Sequence, residues 1–285
     1  MIDVNLRVRS AVVGDRQQIG TLMFFEPYVY RHLDWRSPLE WLGVPDYWVI
    51  EKNGKVQAVL ACPQEPPHVA WIRLFVYSGA LNLTKAWSLL WEQARDYFSQ
   101  FGDVKVAAIC SQEWFRTVLE QNGFFTRQEI ILLERHGHFT GQTHTAPDVS
   151  IHSMKLEDIP AVVSVDSAAF TPLWQHSQSS FEMAFPQAIL ATVAFLDNQV
   201  VGYQISTQTP SGAHLARLAI LPAFQRHGIG LALVADLVEQ LRRRSINRLT
   251  VNTQSNNMAS LALYQQAGFV RTGEQYPVYE YDIRA

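Results

Sequence analysis

The chain has 285 residues, a formal net charge of −3 and two cysteines. Because single domains cluster around about 100 to 150 residues, this length predicts two units that each bury a core. The mixed and slightly acidic charge provides no broad basic surface for phosphate backbones, so we expect no nucleic-acid partner.

The cysteines and the first residues of the chain indicate a cellular compartment. Cys62 and Cys110 lie in apolar, strand-like runs without metal-ligand spacing, which favours reduced thiols packed in a core. The N-terminal MIDVNLRVRS lacks the apolar core of a signal peptide, and no apolar stretch approaches the roughly 18 to 20 residues of a membrane span. We therefore expect a cytoplasmic protein without a membrane partner, either a monomer or a homodimer.

The first half of the chain alternates strand and helix signals. A short strand candidate at Leu6–Arg9 precedes a helix that starts near Asp15. The hairpin signal Asn53-Gly54 lies between two apolar runs, and a later helix ends at Gly123. This order predicts a mixed α/β sheet with helices on its faces.

A stretch rich in Gly, Thr, His and Pro between Glu134 and Ser150 has no periodicity and is typical of a linker. His136, His138 and His144 lie in it. These histidines have no carboxylate partners at metal-site spacing, so a solvated loop is favoured over a metal site and we expect no metal.

The second half repeats the order of the first. Asp197-Asn198 takes the place of the first hairpin signal. Gly123 and Gly268 are 145 residues apart, and Val56 and Val200 are 144 residues apart. Near-constant spacing favours duplication, so each half is predicted as strand, helices, hairpin, strand, long helix, strand, helix and terminal hairpin, in domains 1–140 and 149–285.

The long helix of the second half, predicted from about Gly228 to Arg244, begins with the sequence Gln225-Arg226-His227-Gly228-Ile229-Gly230. The first turn of a helix has unpaired N–H groups and a partial positive charge, and glycines let a phosphate approach the backbone. The spacing is neither the Walker pattern nor G-x-G-x-x-G, and the alternative is that the glycines only permit tight helix–strand packing.

Two motifs together carry a family resemblance. Ile220-x-Pro222 stands directly before Q-x-x-G-x-G, and a block from Asn257 through Tyr264 to Gly268-Phe269 follows about thirty residues later. In this order they resemble the GNAT superfamily of acetyl-CoA-dependent N-acetyltransferases. The resemblance covers roughly Val149 to Asp282 and implies two tandem GNAT-like acyltransferase domains, of which the C-terminal one transfers an acetyl group from acetyl-CoA to a primary amine.

The resemblance also implies roles for individual residues. Tyr264 corresponds to the family's general acid, which protonates the departing thiolate; the alternative is a tyrosine on the apolar face of its helix. Asn257 corresponds to a contact with the cofactor arm and is equally suited to cap a helix. The remaining cofactor-binding residues implied are the preceding strand and the glycine loop: Leu218, Ala219, Ile220, Gln225, Arg226, His227, Gly228, Ile229 and Gly230.

The general base is less well marked. In relatives that modify protein N-termini a Glu precedes the motif's Asn by five residues, but here that position is Asn252, which has no basic group. In histone-modifying relatives a Glu lies early in the cofactor-binding strand, where this chain has His214. An imidazole is a suitable base, and the alternative is a histidine at a strand edge. Phe170, Trp174 and Tyr276 fall in loops that flank the acceptor site in relatives, and either line the acceptor pocket or cap the core.

The first half departs from the family pattern. Leu119 stands in place of Tyr264, Gln112 in place of Asn257, and YSGALNLTKAW contains no glycine loop. We expect a degenerate copy without cofactor. Two alternatives to acetylation of a small-molecule amine remain: an acetyl-CoA-binding sensor or scaffold, and an enzyme for peptide N-terminal amines.

Overall fold

The computed structural model describes residues 6–137 and 149–284. The chain divides into two compact units. Unit 1 comprises Met1–Arg127 with Pro277–Ala285, and unit 2 comprises Gln128–Tyr276. The interval between the predicted domains 1–140 and 149–285 lies outside the described residues, so that boundary stays a prediction.

The element order agrees with a duplicated α/β architecture, and within the described residues no helix is long and apolar enough to cross a bilayer. The helices are α1 (Arg16–Phe25), α2 (Leu83–Phe98), α3 (Glu113–Gln121), α4 (Ile159–Ala169), α5 (Gln178–Ala184), α6 (Ile229–Arg243) and α7 (Met258–Gln266). The strands are β1 (Leu6–Ser10), β2 (Val29–Arg31), β3 (Tyr47–Lys52), β4 (Lys55–Ala61), β5 (Val69–Trp71), β6 (Leu74–Tyr77), β7 (Val104–Ile109), β8 (Phe125–His136), β9 (Ser150–Ser153), β10 (Ala188–Leu196), β11 (Gln199–Thr209), β12 (Gly212–Ile220), β13 (Arg248–Gln254) and β14 (Val270–Ile283).

Both predicted hairpins form with the same turn geometry. Asn53 and Gly54 have φ values of 51° and 74°, and Asp197 and Asn198 have 47° and 63°. Positive φ at both central residues is the type I′ turn, whose twist matches that of the flanking strands. The two helices that end at Gly123 and Gly268 also stop alike, since both glycines have φ of 82°.

In unit 2 the strand order is β9-β10-β11-β12-β13-β8. The pairing of β12 with β13 is parallel and covers only Ala213 to Leu215, after which the two strands separate. Between β11 and β12 the register shifts at Ile205 and Ser206, which leaves Ala216 as an extra residue. Apolar residues of β12, β13 and β8 pack against α6 and α7 to form the core on one face.

Unit 1 contains one sheet with the order β1-β3-β4-β6-β2 and a set of strands with the order β5-β7-β14. Its largest core cluster joins α2 and α3 to these strands and is rich in aromatic side chains, including Trp87, Trp91 and Phe115. The parallel partners are β5 and β7, which occupy the positions of β12 and β13 in the second half.

The prediction that each half ends in a hairpin is wrong. Each half ends in one long strand, β8 or β14, and each of these strands is shared by the two units. The later residues of β8 pair with β13 in unit 2, and the last residues of β14 pair with β7 in unit 1. Because each terminal strand pairs with a strand of the opposite half, it does not fold back on itself.

Candidate active site

The loop before α6 and the first residues of the helix have backbone N–H groups without a protein acceptor among the described residues. Gln225 to Gly228 are exposed, and Gly228 is the N-cap residue in a left-handed conformation, without a side-chain cap. The first backbone bond of the helix runs from the Ala232 N–H to the Gly228 carbonyl, at 2.9 Å. In the part of the chain that the structure describes, the N–H groups of 226–230 have no protein acceptor. Such a group of amides at a helix N-terminus binds anions.

The two glycines of this loop are needed for different reasons. Gly228 has φ of 81°, and a Cβ placed there would meet nothing within 4 Å, so the space above it is open. A Cβ at Gly230 would lie 2.6 Å from Cδ1 of Leu263 on α7. The backbone conformation and open approach therefore require Gly228, whereas packing of α6 against α7 requires Gly230.

The end of β12 provides an unpaired strand edge. Leu221 N–H donates to the Val201 carbonyl at 2.9 Å, so by the alternation of antiparallel pairs the N–H and C=O of Leu218 and Ile220 face away from β11. On that side β13 has already separated. The Gln225 side chain donates to the Ile220 carbonyl at 3.1 Å, and the polar groups of Leu218 remain open to an extended ligand.

Asn257 caps α7, as the capping alternative predicts. Its Oδ1 accepts from the Ser260 N–H at 3.1 Å. Its Nδ2 lies 3.5 Å from Oε1 of Gln254. An amide nitrogen carries two hydrogens, so one remains for a ligand beside the helix start.

Tyr264 lies on α7 and is 5% exposed. Its ring packs against Phe269 in the core, while its hydroxyl has no hydrogen-bond partner among the described residues. Burial raises the pKa of the phenol, and the positive charge of Arg217 opposes that rise. The phenol is therefore protonated at neutral pH and free to donate.

His214 lies on β12, half-buried, with its Nδ1 2.8 Å from Oγ1 of Thr250. The Thr250 hydroxyl in turn donates to the Ala213 carbonyl at 3.3 Å. Because a hydroxyl has one hydrogen, Thr250 accepts from Nδ1–H, and this network assigns the free lone pair of His214 to Nε2. Burial lowers the pKa of His214, so the imidazole is neutral at pH 7.

The sequence did not predict the buried ion pair between Asp166 and Arg217. The positive charge of this arginine acts on Tyr264. Asp166 of α4 is fully buried and accepts from Nε of Arg217 at 2.8 Å and from the Tyr203 hydroxyl at 2.5 Å. Arg217 also donates to the Trp174 carbonyl, and its guanidinium lies 3.6 Å from the centre of the Phe170 ring. The signal was present: Arg217 interrupts the apolar run HLARLAI, and a charge in such a run is buried only with a partner.

The extra residue in β12 explains why Arg217 and His214 share a face. Ala213 and Leu215 belong to the core under α6, whereas Arg217 contacts α4 on the other face. Without the bulge at Ala216, strict alternation would turn Arg217 toward α6.

The predicted acceptor residues divide into two places. Phe170 and Trp174 both contact Arg217 and form one group with it. Tyr276 lies on β14, where its hydroxyl donates to Glu274 and this bond raises the pKa of the phenol. Asn252 is exposed on β13, opposite Leu132 of β8.

Of the three linker histidines, His136 lies 3.4 Å from the carboxylate of Glu134, and His138 and His144 lie outside the described residues. Among residues 6–137 and 149–284, no group of three or more His, Cys, Asp or Glu side chains is arranged to hold a metal.

The part of the chain that contains this site is similar in sequence to known acetyltransferases. The family model described as "Acetyltransferase (GNAT) family" matches residues 159–269. The ribosomal protein bS18-alanine N-acetyltransferase of Escherichia coli strain K12 is 27% identical over 120 residues, which cover 42% of this chain and 80% of that protein.

Two solved structures match nearly the whole chain. A GCN5-related N-acetyltransferase from Sphaerobacter thermophilus has a TM-score of 0.61 and 15% identity, over 98% of this chain and 96% of the other. A tandem GNAT protein from the clavulanic acid biosynthesis pathway has a TM-score of 0.63 and 13% identity, over 98% and 99%. At these identities the likeness shows the fold alone.

Proposed function

Because residues 159–269 form an acetyltransferase domain of the GNAT family, as the two sequence motifs predict, we propose that unit 2 transfers the acetyl group of acetyl-CoA to a primary amine. The fold class and the enzyme class predicted from the sequence are those of this family, and members of the family use acetyl-CoA. The location in unit 2, the direct attack of the amine and the residue roles below are our proposals.

The observation that carries this proposal is the junction of β12 and α6. Free N–H groups of 226–230 suit a diphosphate, and the positive charge of Arg226 adds to the attraction. The open edge at Leu218 suits an extended arm that contains amide groups, because it offers one N–H and one C=O in strand geometry. Open space above Gly228 leaves room for the anion. The residues present therefore fit coenzyme A.

When bound, acetyl-CoA supplies an activated acetyl thioester. Neutral His214 accepts a proton from the incoming ammonium at Nε2, directly or through a water, because a protonated amine has no lone pair for attack. Tyr264 donates its phenolic proton toward the sulfur that leaves. The charge of Arg217 favours this donation, since it opposes the rise in the Tyr264 pKa that burial causes.

A peptide N-terminal amine is the second candidate acceptor. The similarity to bS18-alanine N-acetyltransferases favours it. The exposed amide of Asn252 weighs against it, because a base expected at that position in such relatives is replaced by a group that accepts no proton at neutral pH.

The test is release of free thiol from acetyl-CoA in the presence of two panels, small primary amines and short peptides that begin with alanine. We expect turnover with at least one acceptor, and the panel that contains it identifies the acceptor class. Acetyl-CoA binding without turnover on any acceptor would support the sensor alternative, and absence of binding would refute the proposal.

A further inference from the structure

In unit 1 the chain itself fills the place where unit 2 has an open strand edge. We infer that Glu26–His32, the substitute segment, permanently occupies the acetyl-CoA slot of unit 1, so that the protein binds one acetyl-CoA per chain. This inference rests on the proposed function for the location of acetyl-CoA in unit 2.

The two units are in register at the start of the slot. In unit 2, Ala213 pairs with Leu249 in parallel, and in unit 1, 144 residues earlier, Val69 pairs with Lys105 in parallel. After this contact both chains leave their parallel partner. In unit 1 the departing chain becomes β6, which pairs with β4 as the end of β12 pairs with β11.

The edge that is open in β12 is covered in β6. Phe75 lies opposite Leu60 of β4, as Leu218 lies opposite Gln204 of β11, so Phe75 is the counterpart of Leu218. On its other side Phe75 lies opposite Tyr30 of β2, which adds an antiparallel strand to β6. The backbone groups of Phe75 are thereby satisfied within the chain.

The direction of the substitute segment matches that of the proposed ligand. It begins at Glu26, beside the loop that precedes α2, and runs back along β6 until Arg31 lies opposite Leu74. A coenzyme with its diphosphate at the α6 loop and its arm along Ile220 to Leu218 runs the same way relative to β12.

The loop before α2 already holds a negative charge. The Gly79 N–H donates to Oε2 of Glu26 at 3.1 Å. The Lys85 N–H donates to Oδ1 of Asn82, which caps α2, at 3.2 Å. In contrast, Gly228 caps α6 without a side-chain acceptor. A carboxylate from the substitute segment thus takes one of the amides that a phosphate would need.

A third contact comes from the helix that follows. Gln112 precedes α3 as Asn257 precedes α7, and its Nε2 donates to the Val29 carbonyl at 3.2 Å. The amide at the position implied to contact the cofactor arm therefore contacts the substitute segment. Leu119 is fully buried in the core at the position of Tyr264, so this slot has no proton donor there.

The test combines hydrogen–deuterium exchange with a binding titration of the full chain, using acetyl-CoA without any amine. In the free protein we expect slow exchange at Phe75 and Gly79 and fast exchange at Leu218 and Gly228. Acetyl-CoA is expected to bind at one equivalent and to slow exchange only at the unit 2 positions.

The outcomes separate the two proposals. Fast exchange at Phe75 and Gly79 in the free protein would overturn the substitute-segment assignment, whatever acetyl-CoA does. Two equivalents, or protection of residues 74–82 on binding, would also overturn it while leaving the proposed function intact. No binding together with slow exchange at Phe75 and Gly79 would refute the proposed function and leave the occupied slot in unit 1.

Hydrogen exchange in two variants provides a second test. Glu26→Ala is expected to speed exchange of the Gly79 amide about tenfold, the order expected for a lost bond to a charged acceptor, with unchanged acetyl-CoA affinity. Gln112→Ala removes a different contact and is expected to speed exchange in β2. Glu92→Ala, at an exposed carboxylate on α2, is the control that leaves both unchanged. Exchange unchanged in both variants would contradict the inference.

Discussion

Tyr264 and Arg217 illustrate how a buried charge changes the chemistry of a neighbouring phenol. Burial alone makes the Tyr264 proton harder to remove, whereas the guanidinium of Arg217 stabilises the phenolate. Arg217 is itself held by the fully buried Asp166. The acid strength of Tyr264 therefore depends on an ion pair outside the family motif.

Tyr264→Phe removes the proton and keeps the ring in the core. We expect kcat to fall at least tenfold with unchanged acetyl-CoA affinity, because loss of a general acid affects the chemical step. Tyr97→Phe, in unit 1, is the matched control and is expected to have wild-type kinetics. Wild-type turnover of Tyr264→Phe would remove this residue from the mechanism.

His214 predicts a pH dependence. Its pKa is lowered from 6.5 by burial, so the neutral form that accepts a proton persists below pH 6.5. We expect kcat/KM to stay level from neutral pH down to below 6.5, and then to fall as the imidazole becomes protonated. His214→Asn is expected to lower kcat/KM about 100-fold and to abolish this acidic limb.

The tautomer assignment of His214 has its own test. Thr250→Val removes the acceptor of Nδ1–H and is expected to lower kcat/KM about tenfold, because the ring is no longer held with Nε2 unprotonated. Thr250→Ser keeps the hydroxyl and serves as the control. Equal rates for the two variants would contradict the assignment.

The sequence predicts candidate site residues where a motif fixes their positions, such as Gly228 and Tyr264. It does not distinguish why the two loop glycines are needed, because the contact of Gly230 with Leu263 links two helices far apart in the chain. The group around Asp166 was missed for the same reason. Its partners come from α4, β11, β12 and the loop after α4, and no local pattern joins them.

At the scale of elements, the start of α6 combines an open anion site with close helix packing. Gly228→Ala is expected to weaken acetyl-CoA binding, because a side chain at φ of 81° costs about 1 kcal/mol and narrows the approach. Gly230→Ala is expected to lower the free energy of unfolding by about 1 kcal/mol through contact with Leu263.

Leu263→Ala distinguishes these effects. Combined with Gly230→Ala it is expected to relieve the close contact, so that the double variant is more stable than the sum of the single changes predicts. Combined with Gly228→Ala it restores no acetyl-CoA affinity. Denaturant unfolding and acetyl-CoA titration of the same proteins provide the two measurements.

The ion pair between α4 and β12 holds the segment with Phe170 and Trp174 against the sheet. Asp166→Ala leaves the guanidinium buried without its partner and is expected to cost about 3 to 5 kcal/mol of unfolding free energy. The double variant Asp166→Leu/Arg217→Met removes both charges and is expected to regain most of that loss. An additive double variant would contradict a buried pair.

At the scale of the molecule, the sequence predicts that the order of elements is repeated. It does not predict strand exchange, in which the last strand of each half pairs with a strand of the other half. The spacing of Gly123 and Gly268 and the two hairpin turns follow from local residue types, and both recur as predicted. The partners of β8 and β14 do not follow from local residue types. Alternating apolar residues indicate a strand, but they do not indicate which half of the chain contains the neighbouring strand.

Strand exchange predicts how fragments behave. A fragment of residues 128–276 keeps the pairing of β8 with β13 and is expected to unfold cooperatively and bind acetyl-CoA. A fragment of residues 149–285 lacks β8 and exposes the edge of β13, so we expect it to aggregate or unfold at lower denaturant concentration. Equal stability of the two fragments would contradict the role of β8.

The shared terminal strands also determine the order in which the two units can be completed during synthesis. Unit 1 is built mainly from the first 127 residues, yet the strand residues beside β7 are Val278–Ile283, which are synthesised only after unit 2, residues 128–276. Until the ribosome releases those residues, one side of β7 has no partner. Unit 1 therefore begins to form first but is completed only after unit 2 has been synthesised, and a chain truncated after residue 276 would leave β7 without this partner.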